Sequence, residues 1–186
     1  MTQTLGLQSL MPHALEIQYG LTAQELLEAI DRRFRLKVAL EGAVAEVHFE
    51  RKLKVASQEG WMNSYQSHDV DGMHDFTVTS LDDKVLKIEV KTIRNGIKPQ
   101  VEIQKTRAAK GDPSSRYYDY SHFDVIAVCL GRHTKDWTQF AYAFTKDLPR
   151  HRSHPNKLQV MHAIPLNGKS TSVVWYSRLQ DLIDAS

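Results

Sequence analysis

Asp75-Phe-Thr-Val-Thr-Ser-Leu-Asp-Asp-Lys-Val-Leu-Lys-Ile-Glu89-Val-Lys91 decides the reading of this chain. Leu86, Ile88 and Val90 alternate with Lys87, Glu89 and Lys91, the period of a half-buried strand. Glu89 and Lys91 therefore share a face, roughly 6.6 Å apart along the strand. Upstream, Phe76 and Val78 alternate with Asp75, Thr77 and Thr79, and Asp82-Asp83 between the two runs reads as a hairpin turn. A loop of Leu81, Asp82 and Asp83 pairs Ser80 with Lys84, and the same register sets Asp75 opposite Glu89.

Like charges directly opposite one another on a sheet repel. A cation held between Asp75 and Glu89 removes that repulsion, and Mg²⁺ is commonly bound by one or two carboxylates together with waters and phosphate oxygens. Lys91 adds an ammonium on the same face. Two acids and an amine on paired strands form a divalent-metal site beside a basic group, a combination suited to hydrolysing a phosphodiester. Two other acid-x-Lys triplets occur, Glu50-Arg-Lys52 and Asp82-Asp-Lys84. The first lies in an expected helix and the second in a turn, so only Glu89-Val-Lys91 closes an apolar strand that follows an acid-bearing one.

Asp75, followed fourteen positions later by Glu89-Val-Lys91, resembles the PD-(D/E)xK nuclease superfamily. The order of elements over roughly residues 36 to 145 is similar too: a helix carrying Gly42-Ala-Val-Ala-Glu46, the hairpin, a basic segment with Gln104-Lys-Thr-Arg107, and the apolar strand Phe123 to Leu130. His74 stands where the motif's name places a proline. The resemblance implies an α/β (α+β) fold of restriction-endonuclease type, with a mixed central sheet flanked by helices. It implies Asp75, Glu89 and Lys91 as catalytic residues, joined by Glu46 from the first core helix; Glu41 and Glu50 are weaker candidates for that role. Mg²⁺, for which Mn²⁺ would substitute, is expected on Asp75, Glu89 and the Val90 carbonyl, with Glu46 binding through water or holding a second ion. Gln104, Lys105, Arg107 and Arg116 are expected to meet nucleic-acid phosphates.

Three functions stay open: a DNA endonuclease of restriction or phage-defence type, a structure-selective nuclease such as a junction resolvase or repair nickase, and a nucleic-acid-binding subunit without catalysis. The intact Asp75, Glu89 and Lys91 favour the first two. A single compact domain would need a homodimer, or two turnovers, to cut both strands of a duplex.

Composition agrees with a globular domain: 186 residues, 41% hydrophobic and 25% charged, enough chain to bury a sizeable core. No apolar run approaches a membrane span, the first 20 residues lack a basic region followed by an apolar stretch, and the one cysteine, Cys129, lies in the most apolar run. These features lead us to expect a cytoplasmic protein with a buried, inert thiol. A net charge of +2 says little about partners, but its distribution says more. Residues 87–116 carry an excess of five positive charges, and a second basic cluster runs from Lys146 through Arg150 and Arg152 to Lys157. Both stretches suit either a phosphate backbone or a solvated loop surface.

Residues 1–20 read as a loose arm and 21–186 as one domain. Thr22-Ala-Gln-Glu25 has the form of a capping box, and Ala45, Phe49, Leu53 and Ala56 form one stripe of a helix from about Leu36 to Ala56. Further expectations are a short helix over Glu102 to Lys110, strands at Phe123–Leu130 and Gln139–Phe144, a loop over Pro149–Asn156, edge strands at Leu158–Ile164 and Thr171–Tyr176, and a helix from Arg178 to Ala185. The nine histidines lack the spacing of a zinc site. Strand alternation turns His74 away from Asp75, in a structural role. Tyr117, Tyr118 and Tyr120 suit either base stacking or ordinary packing.

Overall fold

A computed structural model describes residues 11–106, 108–166 and 171–186. The chain groups into two compact units, one up to Glu41 and the other Gly42–Ser186.

The first unit holds α1 (Ala14–Tyr19) and α2 (Ala23–Asp31). Each opens on a capping box, His13 with Glu16 and Thr22 with Glu25, so two orphan amides of each first turn are satisfied locally. Gly20 closes α1 at φ 64°, a left-handed conformation that glycine adopts without strain. None of the helical residues of α1 or α2 is buried.

The longest element is α3 (Phe34–Gln58), rich in Ala, Leu, Val, Lys and Glu and free of proline. Ala45, Phe49, Leu53 and Ala56 are its buried residues, the stripe expected from their spacing. They lie against a five-stranded mixed sheet in the order β1-β2-β3-β5-β6, formed by Ser64–Ser67, Phe76–Thr79, Val85–Thr92, Val125–Cys129 and Phe140–Phe144. Only the β3–β5 pair is parallel. Phe49 meets Phe76 edge-on at 5.2 Å and Phe140 at 5.6 Å. Burying such a side chain contributes about 1.5–3 kcal/mol. The same core takes Leu179, Leu182 and Ile183 from the closing helix α5 (Leu179–Asp184).

A second core fills the opposite face, where Ile126 and Val128 of β5 and Ala141 and Ala143 of β6 meet Tyr118, Phe123, Leu148 and Leu158. Two short ribbons lie outside the main sheet: β4 (Gln100–Glu102) with β9 (Met161–Ala163), and β7 (Arg150–His151) with β8 (His154–Leu158). The turn after β5 contains α4 (Gly131–Thr134). Every residue of β5 and β6 is buried, as the unbroken apolar run of β5 requires. The fold is thus the mixed α+β class, a mixed central sheet with helices.

Several local expectations are corrected. Residues 102–110 form no helix among the described residues: Val101 and Ile103, two apart, are fully buried, so strand period wins there, and Pro113–Arg116 forms a 3₁₀ turn. Arg107 lies outside the described residues. The loop expected over Pro149–Asn156 holds β7 and the start of β8. Met161–Ala163 is the strand within 158–164, while Thr171–Tyr176 makes only the isolated Tyr142–Tyr176 bridge. The short strand β1, Ser-Tyr-Gln-Ser, carries one aromatic residue and no apolar alternation to reveal it. Among the described residues no helix is long and apolar enough to cross a membrane.

Candidate active site

The hairpin fixes the site. Phe76 pairs with Ile88 and Thr77 with Lys87, and the turn amide of Ser80 donates to the Lys84 carbonyl at 2.9 Å. This is the register read from the sequence, and it sets Asp75 beyond the end of β2, across from Glu89. Asp83 takes the left-handed position of the three-residue turn at φ 60°, a conformation that aspartate tolerates better than most residues.

Glu89 is 2% exposed, an extreme burial for a carboxyl. Its Oε1 accepts from both the Lys91 ammonium and the Tyr118 hydroxyl. Its Oε2 is buried with no hydrogen-bond partner. A buried, unpaired carboxyl oxygen costs free energy unless something else meets it. Asp75 Oδ2 accepts from the Val90 amide at 2.7 Å. On a strand the N–H and C=O of one residue point the same way, so the Val90 carbonyl faces the side on which Asp75 lies.

Electrostatics record the crowding. Burial, and then the Glu89 carboxylate, push Asp75 up to about 7 against the opposing pull of Lys91 and the Val90 amide. Burial works against the Lys91 ammonium, but Glu89, Tyr118 and Asp75 outweigh it and raise Lys91 above the ordinary lysine value. Burial pushes the Tyr118 phenol up, so it is a proton donor at neutral pH. Glu46 follows the buried Ala45 on α3, which packs on the other face of the sheet. Its side chain is exposed at the surface, yet desolvation by surrounding atoms raises its pKa, and it feels the charges of Lys91, Glu89 and Asp69. Asp75, Glu89 and Lys91 are therefore gathered at one place, and Glu46, on another layer, acts on it through its charge alone.

The residues expected to meet phosphates divide. Lys105 brings its Nζ to 5.8 Å from the centre of the Tyr118 ring, and Lys91 lies 5.5 Å from that centre. Arg116 braces this segment, its Nε donating to the Lys105 carbonyl at 3.1 Å. Gln104 instead donates to Glu102, which also pairs with Arg94 at 3.0 Å.

Two contributors escape the sequence reading. Tyr118 is one; its position in a tyrosine-rich loop gives no sign that it reaches β3. The other is His122, whose ring lies 4.9 Å from that of Tyr118 and whose buried Nε2 has no partner. Burial lowers its pKa, opposed by Glu89. His74 corrects the alternation argument. It precedes β2, so strand geometry does not govern it, and its Nε2 lies 2.8 Å from Thr77 Oγ1 on the Asp75 side. The same hydroxyl lies 2.8 Å from His68 Nε2, so His74 anchors the strand entrance.

Among the described residues no three His, Cys, Asp or Glu side chains converge into a ready-made metal cage. The donors suit a cation that needs fewer protein ligands. Glu89 Oε2, the Asp75 carboxyl and the Val90 carbonyl are hard oxygens, the chemistry preferred by Mg²⁺, and the unpartnered Oε2 is the atom a cation would satisfy.

No protein-family profile and no curated protein sequence matches this chain. Among solved structures, a bacterial homing endonuclease is similar over 72% of this chain and 81% of its own, at 15% identity and a TM-score of 0.48.

Proposed function

We propose that the protein is a Mg²⁺-dependent DNA endonuclease, its site formed by Asp75, Glu89 and Lys91 with Glu46 in support. The observation that carries this reading is the buried Glu89: one oxygen held by Lys91 and Tyr118, the other unpartnered, and an acid across from it in register.

Asp75 and Glu89 would hold the ion with the Val90 carbonyl. When bound, Mg²⁺ lowers the pKa of a coordinated water and neutralises charge on the scissile phosphate. Glu89 is positioned by Tyr118, whose hydroxyl donates to its Oε1. Lys91, cationic at neutral pH, supplies an ammonium for the oxygen on which charge develops in the transition state. Its raised pKa makes it a poor general base and favours electrostatic stabilisation. Lys105, beside Tyr118, extends the positive surface toward a phosphate backbone. One site per chain cuts one strand, so a double-strand break needs two chains or two turnovers.

The test is incubation with linear duplex, four-way-junction and single-stranded DNA, with and without Mg²⁺. Discrete Mg²⁺-dependent duplex fragments are expected. Cuts confined to the branch would transfer the activity to a structure-selective nuclease, and binding without products would remove catalysis from the reading.

A further inference from the structure

We propose that a second pocket, between α3, Trp61, β6 and the start of α5, binds an anion carrying a flat apolar body, of the chemistry of a nucleoside monophosphate. The pocket has a volume of about 470 Å³, inside the usual range of about 300–1,000 Å³ for small-molecule sites. None of its lining residues is Asp75, Glu89 or Lys91.

The walls and the rim differ in character. Val55, Trp61, Tyr142 and Leu179 provide an apolar lining with two aromatic rings. Arg51, Lys52 and Arg178 bring three cations, and no aspartate or glutamate lines the cavity. Helical geometry explains the arrangement: Phe49, Leu53 and Ala56 carry the core stripe of α3, while Arg51 and Val55, one turn apart, occupy a neighbouring face.

Two acids nearby offset part of this charge without lining the cavity. Asp136, which feels Lys52, accepts from Thr138 at 2.6 Å and from Gln139 at 3.1 Å. Asp181 forms a long, exposed ion pair with the Arg178 guanidinium at 3.9 Å, and Arg178 also donates to Gln180 Oε1 at 3.0 Å. Lys52 Nζ sits 5.9 Å from the centre of the Phe140 ring. Arg51 makes no ion pair among the described residues. The site thus offers the Trp61 ring for stacking and, with Arg51 outside any ion pair among the described residues, a net positive lining, which selects an anionic ligand with an aromatic body over a neutral one.

The test uses the full chain in EDTA, with calorimetric titration of deoxyadenosine monophosphate, deoxyadenosine and inorganic phosphate, and the Trp61 indole N–H followed by NMR. Saturable binding of the nucleotide that moves the Trp61 signal is expected. It should weaken about tenfold or more in Arg51→Ala or Arg178→Ala, the scale of a charge-assisted hydrogen bond. It should be unchanged in Lys91→Met, which separates this pocket from the proposed nuclease site. Absence of saturable binding into the millimolar range would overturn the proposal. So would equal affinity for the nucleoside or for phosphate alone, unchanged affinity in both arginine variants, or loss of binding in Lys91→Met.

Discussion

The Tyr118 hydroxyl donates to the same Glu89 oxygen that accepts from Lys91, leaving the other Glu89 oxygen buried and unpaired. Tyr118 is thereby a positioning residue for Glu89. Tyr118→Phe keeps the ring and removes the hydrogen bond. Cleavage is expected to fall about 10–100-fold with weaker Mg²⁺ affinity, as for outer partners of metal ligands, at a stability loss of about 1–2 kcal/mol. Single-turnover cleavage and a Mg²⁺ titration check this. Wild-type values in both would leave Tyr118 a packing residue only.

Asp75 makes the metal-free protein pH-sensitive. Its pKa stands at about 7 in the fold against an ordinary 3.8. The folded state therefore keeps a proton that the unfolded chain loses, and the contribution to stability is fully present below about pH 4 and is lost as pH rises through 7. At about 1.4 kcal/mol per pKa unit, the loss is up to about 4 kcal/mol. Thermal melts in EDTA from pH 4 to pH 8 should show it. Asp75→Asn, which can still accept from Val90, should flatten the decline, and Mg²⁺ should raise the wild-type melting temperature more at pH 8 than at pH 5. Parallel wild-type and Asp75→Asn curves would contradict this.

Gly131 opens α4 where β5 ends, and it is buried. A Cβ there would stand 2.5 Å from Trp137 Cδ2 and 2.8 Å from Cγ, inside any permitted contact. The indole packs on the core and cannot swing aside freely. Gly131→Ala is expected to cost about 1–3 kcal/mol, read as a melting temperature lower by several degrees. An unchanged melting curve would show that Trp137 repacks without cost.

The hairpin register was legible because apolar alternation and the Ser80–Lys84 turn each specify it, and they agree. The α3 stripe and the β5 run were legible for a similar reason: they are long and strongly patterned. What the sequence hid lies in segments whose burial depends on distant partners. Val101 and Ile103 are fully buried in the second core, where β4 pairs with β9, more than fifty residues away. β1 is a polar strand recruited by pairing with β2. Tyr118 meets Glu89 across 29 positions, through a loop with no periodicity. Asp75, Glu89 and Lys91 could be found from spacing on one hairpin, whereas Tyr118 and His122 reach them only through the packing of the second core.

The decisive experiment is Mg²⁺-dependent cleavage of duplex DNA by the wild type, Glu89→Gln and Lys91→Ala, with each fold verified by circular dichroism. Discrete products are expected from the wild type and none from either folded variant. Cleavage retained in both would remove Asp75, Glu89 and Lys91 as the nuclease site.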